Sequence, residues 1–263
     1  MTTLLLILSA LIGLCFIFAF CYFVAARINN YGIVDIVWAY SFAVLAVYYA
    51  VGSSGWPWRR GLIVTMALIW SLRLGTHLYS RVMQHHPVED GRYRQLRQDW
   101  AANFKPKMFG FFQFQAISIV LLTPAFAVAC LNTTPTWQPL EVAGAVLWLL
   151  AFAGEAFADA QLAAFKRNPA NRGAVCTRGL WRYSRHPNYF FEWLIWVAYF
   201  VFALASPFGW CAVIGPLSIL FLLLRVSGIP LTEQQALRSK GEAYQRYQAT
   251  TSAFLPWFPK KLP

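Results

Sequence analysis

The sequence predicts an all-α, polytopic membrane protein: seven transmembrane helices plus a short C-terminal amphipathic helix, in one domain over 1–263. Three observations predict it. Hydrophobic residues make up 59% of the 263 and charged residues only 12%. Apolar runs of about 20 residues, the length a helix needs to cross hydrocarbon, recur along the whole chain. The basic residues gather in the loops between those runs, where membrane topology places them. The net charge of +12 therefore points to a lipid bilayer as partner and not to nucleic acid.

The spans fall at 3–26, 33–52, 61–83, 109–131, 140–163, 188–205 and 208–226. The first run, Leu4 to Ala26, lacks a basic leader and is too long for a cleaved signal, so it stays as the first helix. Ser206-Pro207 divides the last two spans. An amphipathic helix follows at 231–248. Loops 84–108, 164–187 and 227–263 are rich in Lys and Arg, whereas 132–139 and 206–207 have none. The positive-inside rule puts the rich loops in the cytoplasm, with the N-terminus outside and the C-terminus inside. Arg59 and Arg60 are exceptions on the outer side. The five cysteines are scattered, with no disulfide or metal-ligand spacing.

Polar groups inside the spans mark candidate sites, because ionisable residues in a bilayer are costly. Asp35 sits at the start of the second span, as either a helix cap or a functional acid. Trp70, Arg73 and His77 share one face of the third. Arg73 stays charged, so it needs an acid or an anionic ligand. Glu155 and Asp159 are four apart on one face of the fifth, and such a pair repels unless a cation or a donor-rich ligand lies between. Lys166, Arg167, Arg172, Arg178 and Arg182 then supply cations for phosphates. No Gly-x-Gly-x-x-Gly cradle is present.

Gly179 to Glu192 is the densest stretch. It carries Arg182, Tyr183, Arg185 and His186, turns at Pro187, and enters a helix with Asn188, Tyr189 and Glu192. Asn188 and Glu192 share a face below a cationic rim. The rim suits phosphate; the amide and carboxylate suit an uncharged polar ring. The final Phe254-Leu255-Pro256-Trp257-Phe258 reads as an interfacial aromatic anchor or as a lid.

Five segments in order carry a resemblance: Val34-Asp35-Ile36-Val37-Trp38, Trp70-Ser71-Leu72-Arg73-Leu74, Glu89-Asp90-Gly91-Arg92-Tyr93, Glu155-x3-Asp159-x-Gln161, and Gly179 to Glu192. Together they resemble the bacterial branch of the steroid 5-alpha-reductase family, membrane-embedded NADPH-dependent reductases of a conjugated carbon–carbon double bond. The likeness covers most of the chain and is strongest from Glu155 to Trp196. It implies a monomer in the bacterial inner membrane, with a cofactor half at about 140–263 and a substrate half at about 1–131. It implies that Glu155 and Asp159 approach the adenosine side of NADPH. Lys166, Arg172, Arg178 and the basic loop would meet the phosphates, and Asn188 and Glu192 the nicotinamide carboxamide. Arg73, Tyr183, Arg185, His186, Tyr189 and Trp196 complete the expected cofactor set. The family pattern also implies an acid and a tyrosine on the substrate ketone. Asp35 falls at the acid, one carbon shorter than the Glu of the animal enzymes, and Trp70 falls near the tyrosine.

The expected chemistry is hydride transfer to a 3-oxo-4-ene steroid or similar lipophilic enone. A neutral Asp35, buried among apolar side chains, would donate to the developing oxyanion. One such donor is typically worth about 3–4 kcal/mol of barrier. Arg-His-Pro-x-Tyr with a later Glu and Tyr-x2-Tyr also occurs in membrane methyltransferases that use S-adenosylmethionine. That cofactor carries no phosphates for the basic loop. A transporter or lipid-binding protein is the third reading.

Overall fold

The computed structural model describes residues 3–226 and 228–260. Every regular element among them is helical. In chain order the α-helices are α1 (Thr3–Ile28), α2 (Ile33–Gly52), α3 (Pro57–His85), α4 (Gly91–Asp99), α5 (Phe104–Leu122) and α6 (Pro124–Leu131). Then come α7 (Pro139–Arg167), α8 (Pro187–Ala203), α9 (Ile214–Phe221), α10 (Ile229–Lys240) and α11 (Glu242–Thr250).

The bilayer is written into the exposed faces. Along α1, Leu6, Ala10, Leu14, Phe18, Cys21 and Ala25 form one buried stripe, while Phe16 and Phe20 on the other side are more than 70% exposed. A helix apolar all round but covered on one stripe needs hydrocarbon against the rest. Five segments are long and apolar enough to cross a membrane: Thr3–Ile28, Ile33–Gly52, Pro57–Gln84, Pro139–Arg167 and Gly209–Lys240. The segments Ala101–Leu122 and Pro124–Leu131, bent by 42°, make a sixth if read as one broken span. The count of seven is therefore not reached among the described residues. Helix α8 has 17 residues, about 25 Å at 1.5 Å per residue, short of a hydrocarbon core of about 30 Å.

The chain forms two compact units. The first runs to Trp137 and includes Ala205–Ala212; the second comprises Gln138–Leu204 and the chain from Val213. In the first unit α2 packs on α3, and α1 on α5. Gly75 lets the Tyr40 ring lie on α3, since a Cβ there would sit 2.5 Å from it. Arg59 and Arg60, the exceptions to the charge rule, are both held by main-chain carbonyls. Arg59 is fully buried and donates to the carbonyls of Asn132, Thr134 and Thr136 at 2.8–2.9 Å. Arg60 donates to the carbonyls of Ala50 and Ser53 at the end of α2, at 2.7 and 2.8 Å. A cation at a helix C-terminus satisfies orphan carbonyls and the helix dipole together.

In the second unit α7 and α8 form the main packed pair. Gly144, Trp148, Ala151, Glu155 and Ala158 line the buried side of α7 at spacings of three and four, the register of a seam between near-antiparallel helices. A Cβ on Gly144 would sit 2.6 Å from the Phe202 backbone nitrogen, so the two helices approach there as only glycine allows.

Candidate functional site

The seam sets the site in the second unit. Glu155 and Asp159 lie one turn apart on α7. Pro187 opens α8 at its first turn, where a missing N–H costs nothing, and Asn188, Glu192 and Trp196 then follow one another up one face. The two rows meet. Asn188 Nδ2 donates to Asp159 Oδ1 at 3.1 Å, and Trp196 Nε1 donates to Glu192 Oε1 at 2.9 Å. Glu155 is 6% exposed. Asn188 Oδ1 is shielded from solvent and accepts no hydrogen bond among the described residues. An acceptor left so is disfavoured by about 1–3 kcal/mol until a donor reaches it. A ligand carrying an amide N–H2 fits that oxygen.

The expected cationic rim is different. Arg185 Nε donates to Glu233 Oε1 at 2.7 Å, and its Nη1 donates to the carbonyls of Gln248 and Thr251. His186, 3% exposed, stacks on Tyr189 at 5.2 Å and lies 3.3 Å from Glu233. Gln248 donates to the same carboxylate at 2.8 Å. Tyr189 pairs with Thr232 at 3.0 Å. Arg185 and His186 thus tie the loop before α8 to α10 and α11, and do not stand open to phosphate. Tyr183 belongs to the same joint: its carbonyl accepts from Trp257 N–H at 2.8 Å and its ring meets Phe258 edge-on. Ser184 Oγ donates to the Phe254 carbonyl, and Arg185 N–H to that of Ser252. The C-terminal strap, 252–260, is therefore stitched to this loop. Tyr247 donates to the carbonyls of Trp181 and Ser184. Burial, then Tyr244 and Cys176, hold its phenol well above the usual range. Lys166, Arg167, Arg172, Arg178 and Arg182 remain exposed and are available to an anionic ligand. Lys261 lies outside the described residues.

In the first unit Asp35 meets charged and polar partners. Its Oδ2 lies 2.8 Å from Arg92 Nη2 and 3.7 Å from Arg81 Nη2, and its Oδ1 accepts from Tyr93 Oη at 2.7 Å. Both oxygens act as acceptors, which corrects the expectation of a neutral acid donating to substrate. The phenol of Tyr93 is pushed well above its ordinary range by burial and then by Asp35. Asp90 caps α4 through Arg92 N–H at 2.9 Å. Burial pushes its carboxyl up, but Arg92 and Arg81 outweigh that and hold it below the usual range. Glu89 accepts from Tyr31 N–H at 2.8 Å and pairs with Arg97 at 3.2 Å. Trp70 is fully buried, edge-on to Phe42 at 5.3 Å. Arg73 lies on the same helix, α3, in the first unit, half-buried.

Sequence reasoning missed Glu233 and Arg81, and gave Tyr93 and Gln161 a place in the resemblance but no role. Glu233 gave no local signal, since its partner Arg185 is 48 residues away. Gln161 Oε1 accepts from Leu180 N–H at 2.9 Å across 19 residues.

No solved structure matches this chain. It is similar to a fission-yeast protein, "Uncharacterized protein C594.04c" of Schizosaccharomyces pombe. The two are 26% identical over 267 residues, covering 87% of this chain and 73% of the relative. A family described as "Protein of unknown function (DUF1295)" matches residues 21–251, so most of both units lies within it, and the chain belongs to that family.

Proposed function

We propose that the protein reduces the 4,5 double bond of a 3-oxo-4-ene steroid, or of a similar lipophilic enone, with NADPH. The observation that carries this reading is the sheltered, unaccompanied carbonyl oxygen of Asn188, whose amide nitrogen is held by Asp159. A carboxamide N–H2 satisfies it, and nicotinamide is a hydride-carrying ring with that group. Asp159 holds Asn188 in place, and Trp196 braces Glu192 one turn further along α8. Bound NADPH would supply the hydride. Lys166, Arg172 and Arg178 would neutralise its phosphates.

Reduction of an enone places hydride on the β carbon and negative charge on the ketone oxygen, and a proton from water completes the bond at the α carbon. In the first unit, Asp35 is a positioning residue that aligns Arg92 and Tyr93. Seven spans, with α8 and the bent α5–α6 segment counted, and a cytoplasmic basic side in a bacterial inner membrane complete the proposal.

Purified protein with NADPH and a 3-oxo-4-ene steroid tests it. Loss of absorbance at the nicotinamide band that depends on the enone is the expected result. Methyl transfer from S-adenosylmethionine to an isoprenylcysteine or phospholipid acceptor, with no enone-dependent oxidation of NADPH, would replace it.

A further inference from the structure

The end of α7 and the loop after it form an open cavity of about 330 Å³, lined by Gln161, Phe165, Asn168, Asn171, Cys176 and Arg178. Small-molecule pockets run from about 300 to 1,000 Å³, so this one suits a single ring system and not a whole dinucleotide. Phe165 and Cys176 give it apolar walls. Its three amides each commit one atom to the scaffold. Gln161 Oε1 accepts from Leu180 N–H at 2.9 Å, Asn168 Oδ1 accepts from Ala170 N–H at 3.0 Å, and Asn171 Nδ2 donates to the Phe165 carbonyl at 2.9 Å. The remaining amide atoms are two N–H2 donors and one carbonyl acceptor.

The wall is held in shape by Gly179, whose φ of +59° favours glycine and where any Cβ would collide with the Gln161 amide. Arg178 stands at the rim. Lys166 and Lys240 are near enough to repel each other, and Lys240 is also near Cys176. An anion held between the two lysines would relieve that repulsion.

We propose that this cavity takes the adenine ring of an adenosine nucleotide, with the phosphate on its ribose held by Arg178, Lys166 and Lys240. An uncharged heterocycle with acceptor ring nitrogens and an exocyclic amine uses both kinds of free amide atom; a plain apolar ring would use neither. The assignment rests on the reading that the chain holds a phosphorylated dinucleotide. It also moves the adenosine away from Glu155 and Asp159, where the family likeness put it.

Calorimetric titration of the full chain with NADPH and with adenosine 2′,5′-bisphosphate is the test. Ala164 lines the cavity and is exposed, so Ala164→Trp fills the space without disturbing the core. At least a tenfold loss of affinity for both ligands is expected, with an unchanged unfolding temperature. If that variant proves less stable, exposed Arg178→Ala decides: the preference for the bisphosphate over adenosine 5′-monophosphate should fall about tenfold, and an unchanged preference overturns the assignment. Unaltered NADPH affinity in Ala164→Trp also overturns it while leaving the reductase reading in place. No binding of either ligand to the wild type sinks both. Bisphosphate binding that Ala164→Trp abolishes, without any NADPH binding, keeps the adenine cavity and removes the reductase.

Discussion

Replacing Glu233 with alanine removes the carboxylate that Arg185, His186 and Gln248 share at 2.7, 3.3 and 2.8 Å. The side chains of Arg185 and Glu233 are only 10% and 15% exposed. Breaking a buried ion pair by deleting one partner typically costs about 3–5 kcal/mol. Arg185 keeps its bonds to the Gln248 and Thr251 carbonyls, which places the loss at the lower end, about 3 kcal/mol. For a chain of this size about 1 kcal/mol shifts the unfolding midpoint by about 2–4 °C, so a fall of about 6–12 °C is expected. The assay is thermal unfolding in detergent, followed by tryptophan fluorescence, with limited proteolysis in parallel. Cleavage should appear within 241–260, because α11 and the strap lose part of their anchorage. Glu233→Gln keeps an acceptor without the charge and should fall between. A midpoint within 2 °C of wild type, with the C-terminal segment still protected, would refute the idea that this carboxylate organises the joint (a shift below about 1 kcal/mol).

Three further outcomes follow from the geometry. Gly144→Val should open the α7–α8 seam at Phe202, where even a Cβ would sit 2.6 Å from backbone; overpacking costs about 1–3 kcal/mol, read as a lower unfolding midpoint. Asp35→Asn should loosen the hold on Arg92 and Tyr93 that ties α4 to α2, read as a lower unfolding midpoint; an unchanged midpoint removes Asp35 as the anchor of α4. The Asp90 carboxyl is held low when folded, so its contribution is present above its unfolded pKa of about 3.9 and disappears as pH falls through the folded value. The Asp90-dependent part of the stability should therefore be level between about pH 7 and 5 and decline below about 4, and that part should be absent in Asp90→Asn.

Much of the fold was legible because bilayer burial is a long-range average. Runs 3–26 and 33–52 lie within Thr3–Ile28 and Ile33–Gly52. What was not legible depends on single residues. The run 109–131 hid the break at Thr123-Pro124, where proline ends one helix and starts another. The amphipathic stretch 231–248 divides at Gly241, whose φ is +52°. Helix α4 is polar and read as loop; Asp90 caps it and Arg92 and Tyr93 tie it to Asp35. The site divides along the same line. Helical spacing brought Glu155 toward Asp159 and Asn188 toward Glu192, but could not say that Asn188 would bond Asp159. Arg185 and His186 looked like open cations because no local pattern reveals Glu233. Asp35 looked apolar in its own helix, and its two guanidinium neighbours come from α3 and α4.

The central claim is that Asn188, held by Asp159, receives the amide of a nicotinamide ring. The affinity of the full chain for NADPH, measured for wild type and for Asn188→Ala, tests it most directly. The account predicts binding to the wild type and a loss of about tenfold in the variant, the equivalent of about 1.4 kcal/mol. Equal affinity in the two proteins, with the fold intact, would contradict it.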